Sequence, residues 1–450
     1  MSFNRNPGEP AHRIAGMLLA ICLVCAGAEC VIRGPLRFAQ AHDFNDFISP
    51  YVQTRAWIQG NDPYSPRNLV EMWPPEAKHF DFLSRNLADG TLVTKRGIPS
   101  AYPLSAFVLI APIAVLPWHV AHTLWLIITA LSLGLTAASL LSAANLLPWS
   151  LRSFGFLSLT LGLAPFHTAL ATGNIVTVAV AASAAGVWAA GQRRDALAGI
   201  LFAISVGLKP QIGLPFCFYY LVSKRWRIPA IAGALVALLF AIALIRSAAG
   251  GAPWLQNYLY DNRILFTPGS VDDFTERNPV RFGLVNFQVA AYALTQSRTA
   301  AIVAALAMAG AAGVTWLWQA TKQGRASDSL LPLSTLAVIS LLPVYHRFYD
   351  ATLLVYPLAW SLAAFNGPLR TTARSTLGLI AAIFLVPGGT ILEQMQHTGR
   401  LGTVGNHWWG NVIVLPHESW SLAVLSLLLL RAFHRQNAIA KPASPVQHLS

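Results

Sequence analysis

Two carboxylates, Asp43 and Asp46, open a polar, aromatic passage that runs to Tyr64, directly after the first long apolar run of the chain. An acid held where a hydrophobic helix meets water is costly to keep there, which makes both functional candidates. The competing view is a solvated helix end followed by Asn61-Asp62-Pro63 turn chemistry. Far along the chain stand three cations: Lys209 in Gly207-Leu-Lys-Pro210, and His346 and Arg347 in His346-Arg-Phe-Tyr-Asp350. A carboxylate opposite fixed cations, at the water edge of a membrane cavity, suits transfer of a group from a phosphate-bearing lipid. The carboxylate takes the proton of an attacking hydroxyl while the cations hold the leaving phosphate. Taken singly, Lys209 and Arg347 could reach for lipid headgroups and His346 could be structural. Their joint placement on one face is what favours chemistry.

Groups so far apart need a scaffold, and the composition says which kind. With 450 residues, 55% hydrophobic and 11% charged, the chain has more apolar surface than one soluble core can hide. It reads as an all-α polytopic membrane protein. The net charge of +13 falls in short clusters between apolar runs: Gln192 to Asp195, Lys224 to Arg227, Lys322 to Arg325, Arg370 to Arg374 and Arg431 to Arg435. That is the positive-inside pattern, so these loops are expected to be cytoplasmic and no nucleic acid partner is implied. Cys22, Cys25, Cys30 and Cys217 lie in apolar segments with no second ligand pair, and read as small apolar residues.

The apolar run over 14–32 reads as an uncleaved anchor with a cytoplasmic N-terminus, against the cleaved signal peptide that Ala26-Gly27-Ala28 would suggest. A first external loop, 33–101, is expected to carry short interfacial helices over 47–60 and 69–87. The apolar runs 154–171, 175–190, 196–208 and 212–222 are mostly too short for a full span of about 20 residues. If the loops at Arg193 and Lys224 are both cytoplasmic, the parity of crossings requires a half-helix, and Lys209-Pro210 is the natural break. Broken helices at membrane depth are tolerated only where they line a protein-enclosed or wet cavity, so Lys209 should face one. A second external loop, 246–281, holds Asp272, Asp273 and Glu276, read as solvated acids rather than ligands of a divalent ion. Alternation then puts His346 to Asp350 on the same outer side as Asp46. The expectation is one integral-membrane domain over 1–430, with about eleven to thirteen helices, and a basic cytoplasmic tail over 431–450.

Several short motifs, in order, resemble glycosyltransferase family 87, polytopic GT-C-type enzymes that include polyprenyl-phosphate-mannose-dependent mannosyltransferases. They are Asp46-Phe47, then Tyr51 and Gly60-Asn-Asp-Pro-Tyr64; Tyr102-Pro103 leading to Ala111-Pro-Ile-Ala-Val-Leu-Pro117; Gly207-Leu-Lys-Pro210 before Lys224-Arg-Trp-Arg227; and His346 after Pro343. The resemblance covers residues 40–360. Gly173-Asn174 departs from the family's Gly-Gln-x-Asn, and Leu104 stands where a second proline follows Tyr-Pro. The resemblance implies a carboxylate general base in the first external loop, and the spacing to Gly60 favours Asp46 over Asp43. It implies that His346 and Lys209, with Arg347 beside them, hold the donor phosphate. Tyr51, Tyr64, Tyr102, Asn174 and Asp350 are expected to line the substrate pocket.

The resulting expectation is transfer of a hexose, mannose first, from a polyprenyl-phosphate donor to a lipid or glycan acceptor at the outer face of the cytoplasmic membrane. One base and one displacement suffice, so inversion is expected. No metal or cofactor is required. The rival class, a transporter or lipid flippase, also owns intramembrane charges and broken helices, but it should show an internal repeat. The first external loop has no counterpart of similar character after residue 225.

Overall fold

The computed structural model describes residues 9–40, 46–77, 83–85, 92–94, 102–251, 253–322 and 330–439; Asp43 lies outside them. Helices dominate. Among the described residues, five are long and apolar enough to cross a membrane: Ile14–Gln40, Trp118–Ala143, Arg227–Ala249, Arg298–Lys322 and Arg370–His397. A sixth candidate, Leu151–Gly162 with Ala164–Thr172, bends by 49° at Leu163. Shorter apolar helices fill the bundle, among them Leu104–Ala114, Val176–Gly191, Asp195–Leu208 and Leu330–Ser340. The chain is therefore a multi-pass, all-α membrane protein, and much of its interior is reached by helices too short to span alone.

One expected interfacial helix is only partly present. Pro66–Glu71 is helical, but Leu83–Arg85 and Leu92–Thr94 pair as an antiparallel ribbon with Leu83 opposite Thr94. Pro74-Pro75 stands between the two, and proline cannot continue a helix that needs its backbone donor.

The break at Lys209-Pro210 is where the sequence puts it. Asp195–Leu208 ends at Lys209, whose backbone is extended (φ −149°, ψ 88°), and Pro210–Val222 starts at the next residue. The two helices pack against each other closely. A Cβ on Gly213 would lie 2.7 Å from the Val206 backbone nitrogen. Ser105 donates its hydroxyl to the Gly207 carbonyl at 2.9 Å, satisfying a backbone group that the broken helix leaves without a partner.

Direction follows from the chain. Val176–Gly191 runs from Asn174 to the Arg193 loop, Asp195–Leu208 runs back to Lys209, and Pro210–Val222 returns to the Lys224 loop. Asp195 and Arg225 form an ion pair, so both basic loops lie at one end of the bundle. These helices have 13 to 16 residues, about 20 to 24 Å at 1.5 Å per residue, which is less than the ~30 Å hydrocarbon core. The Lys209 turn therefore joins two helices that are each too short to span alone, at the end of the bundle away from the basic loops.

Candidate functional site

Asp46 is held from three sides. Phe47 is fully buried and stacks on Trp125 with ring centroids 4.4 Å apart, which pins the backbone. The Asp46 amide donates to the Thr172 carbonyl at 2.7 Å. The side-chain amide of Asn174 donates to Asp46 Oδ2 at 2.9 Å. Asn174 is itself fixed, because its Oδ1 accepts from the Val176 amide at 3.0 Å and starts the next helix. The turn between them needs glycine. Gly173 has φ +64° at the end of Ala164–Thr172, and a Cβ there would lie 2.2 Å from the Phe38 ring.

The cations come from the helix break and from a segment after Leu330–Ser340. That helix ends at Ser340, before Pro343, and residues 342–347 dock against 284–287. Val285 donates to the His346 carbonyl at 2.9 Å and Phe287 to that of Leu342 at 3.1 Å. Arg347 is extended there, and gives Nε and Nη2 to Asp272 Oδ1 at 3.1 and 3.0 Å. Lys209 pairs with Asp350, and its ammonium lies 4.7 Å from the centre of the Tyr349 ring.

Asp46, Asn174, Lys209, Arg347 and Tyr102 line one cavity of about 310 Å³, with Ser49, Gln211, Tyr258, Asn262, Tyr345 and Tyr349 among the other walls. That volume falls at the lower end of the ~300–1,000 Å³ of small-molecule sites. One carboxylate and two cations, separated by more than a hundred residues of chain, thus meet at one space.

Other expected site residues lie behind the walls. His346 is fully buried and does not line the cavity; its Nδ1 faces Asp350 Oδ2 at 3.0 Å and its Nε2 faces the Ser340 carbonyl at 3.0 Å. Both partners are acceptor atoms, so the ring's hydrogen-bonding capacity is taken up inside the protein. Asp350 is also fully buried, bridging His346 and Lys209, and does not line the cavity. Tyr51 donates its hydroxyl to the Leu116 carbonyl at 2.9 Å, and Tyr64 donates to that of Tyr102 at 2.5 Å. Both brace the wall. The Gly60-to-Tyr64 motif makes that brace: Gly60 has φ +84°, and Asp62 accepts the Tyr64 amide at 2.9 Å and the Asn257 side chain at 2.5 Å.

Asp272 differs from the solvated loop acid expected of it. It is buried against Arg347, and that burial pushes its carboxyl up to about 6 despite the neighbouring guanidinium. The sequence offered one clue, an unmatched Arg347 on a buried segment that would need a counter-ion. Asp273 is taken up by its own turn, accepting from the Gly269 amide at 2.8 Å and the Thr275 hydroxyl at 2.6 Å, and Glu276 accepts the Tyr292 hydroxyl. Among the described residues no cluster of three or more His, Cys, Asp or Glu could hold a metal ion.

Lys209, His346 and Arg347 thus stand together against Asp350 and Asp272. Asp46 lines the same cavity as Lys209 and Arg347. The family model for glycosyltransferase family 87 matches residues 101–344, more than half of the chain. No curated protein and no solved structure matches it.

Proposed function

The chain belongs to glycosyltransferase family 87, and on that premise we propose that it transfers a hexose, mannose first, from a polyprenyl-phosphate donor to an acceptor hydroxyl. The observation that carries this reading is the shared cavity, which Asp46, Lys209 and Arg347 all line.

The donor's phosphate lies against Lys209 and Arg347, and its sugar ring points toward Asp46. The acceptor hydroxyl approaches from the Asp46 side and gives its proton to the carboxylate as its oxygen bonds to the anomeric carbon. The bond between that carbon and the phosphate oxygen breaks, and the electron pair leaves with the phosphate. Base and leaving group stand on opposite sides of the sugar, so the anomeric configuration inverts. The cations act where negative charge develops, at a depth where water screens them little. His346 acts on the phosphate through Asp350 and Lys209, not by contact.

The cavity opens to the outside of the cytoplasmic membrane in this proposal. Supporting that orientation, the three short helices that reach the cavity have their other ends at the basic Arg193 and Lys224 loops. The test is transfer by the purified protein in vesicles, with labelled polyprenyl-phosphate hexoses as donors and the anomeric configuration of the product read by NMR. Inverted transfer from the mannosyl donor supports the reading. No transfer from any polyprenyl-phosphate hexose rejects it.

A further inference from the structure

A second cavity, of about 340 Å³, adjoins the turn that holds Asp46 and is lined by Arg33, Arg37, His167, Thr168, Thr172 and Pro387 among others. Thr172 belongs to both neighbourhoods, since its carbonyl is the one that accepts the Asp46 amide at 2.7 Å. The two are also joined through Phe38, one residue from Arg37, whose ring packs on Gly173.

The chemistry of this cavity is that of an anion site. Arg33 pairs with Glu29 at 2.7 Å, and Arg37 is exposed with no ion pair among the described residues, which leaves a surplus of one positive charge. His167 is 3% exposed and gives Nε2–H to the Leu161 carbonyl at 2.6 Å, while its buried Nδ1 has no protein partner. Unpaired buried nitrogens are rare, because each costs the hydration it has lost, and this one belongs to a residue that lines the same cavity as Arg33 and Arg37. The hydroxyls of Thr168 and Thr172 are spent on helix carbonyls at 3.0 Å each, so recognition falls to the arginines and His167. Guanidinium is the group best shaped for a phosphate oxygen pair.

From this geometry we infer that Arg33, Arg37 and His167 form a second phosphate site, which holds the anionic headgroup of the acceptor. The acceptor assignment rests on the proposed function. In an inverting displacement the acceptor enters from the base's side, and this site adjoins the base through Thr172, whereas Lys209 and Arg347 serve the leaving group. The arginines take the headgroup phosphate, and Nδ1 of His167 takes a hydrogen bond from a hydroxyl next to it. The acceptor class is then a phosphate-bearing lipid rather than a neutral glycan.

The test uses the full chain in a neutral detergent, with dihexanoyl phosphatidylglycerol as anionic probe, dihexanoyl phosphatidylcholine as zwitterionic control, and tryptophan fluorescence as readout. The wild type should bind the anionic probe about tenfold more tightly, the scale of one charge-assisted hydrogen bond. Arg33→Gln/Arg37→Gln should lose that preference at an unchanged melting temperature, and Arg37→Gln alone, at an exposed position, should lose part of it. Asp46→Asn should keep it. Displacement by inorganic phosphate would assign recognition to the phosphate group itself; resistance to displacement would assign it to the headgroup with its chains. A wild type without anionic preference, or a preference unchanged in the double variant, overturns the site. If the binding pattern holds but no sugar is transferred, the transferase reading fails and the site stands. If transfer to an anionic lipid proceeds with an unaltered KM in the double variant, the acceptor role fails.

Discussion

Asn174 donates its side-chain amide to Oδ2 of Asp46 at 2.9 Å, across 128 residues of sequence, while its own carbonyl oxygen caps the helix that follows. The bond leaves Asp46 one defined orientation toward the cavity. Asn174→Ala should therefore lower kcat about 10- to 100-fold, as misplaced catalytic groups do, with donor KM little changed. A loss confined to KM would place Asn174 in binding rather than in orientation.

Lys209 and Asp350 are a buried ion pair, with His346 completing the carboxylate's partners. Removing one member leaves the others uncompensated, which typically costs about 3–5 kcal/mol. Lys209→Met should thus lower the melting temperature in detergent markedly. Lys209→Met/Asp350→Leu should recover much of the lost stability without recovering transfer. A single variant as stable as the wild type would show the pair to be solvated.

Asp272 gives a pH dependence with a definite sign. Its carboxyl is raised from 3.8 to about 6, chiefly by burial. A folded-state value above the unfolded one means that the folded state binds the proton more tightly. This group's contribution is full below about pH 4 and is lost as pH rises through 6, on the order of 3 kcal/mol over the window. Asp272→Asn should flatten the stability profile between pH 4 and 6 and leave Arg347 without its partner. An unchanged slope in that variant would assign the titration elsewhere.

Gly173 couples stability to chemistry. Its φ of +64° and the 2.2 Å approach of the Phe38 ring leave no room for a Cβ. Gly173→Ala should destabilise by about 1–3 kcal/mol and lower kcat together with the melting temperature, because the turn carries both Thr172 and Asn174 to Asp46. A stable variant with full activity would separate the turn from the base.

Much of this arrangement is legible in the sequence because it rests on local rules. Proline after Lys209 had to end a helix, short apolar runs had to stop inside the membrane, and basic clusters marked one end of the bundle. Those rules single out Asp46, Lys209 and Arg347, the family resemblance adds Asn174 and Tyr102, and all five line one cavity. What is hidden depends on tertiary pairing. His346 and Asp350 read as cavity groups, but the segment turns inward and they face each other in the protein interior. Tyr51 and Tyr64 look like sugar platforms, yet their hydroxyls are spent on the backbone of Leu116 and Tyr102. Asp272 looks like one of three loop acids, and only the approach of Arg347 from 75 residues away distinguishes it. The ribbon at Leu83–Arg85 carries too little sequence pattern to be told from a loop.

The most direct test of the central claim is the rate of sugar transfer from polyprenyl-phosphate mannose by Asp46→Asn in reconstituted vesicles. The substitution keeps the side chain's shape while removing its capacity to take a proton. The account predicts a loss of about 100- to 10,000-fold in kcat, with expression, melting temperature and donor affinity retained. Wild-type turnover in Asp46→Asn would contradict it.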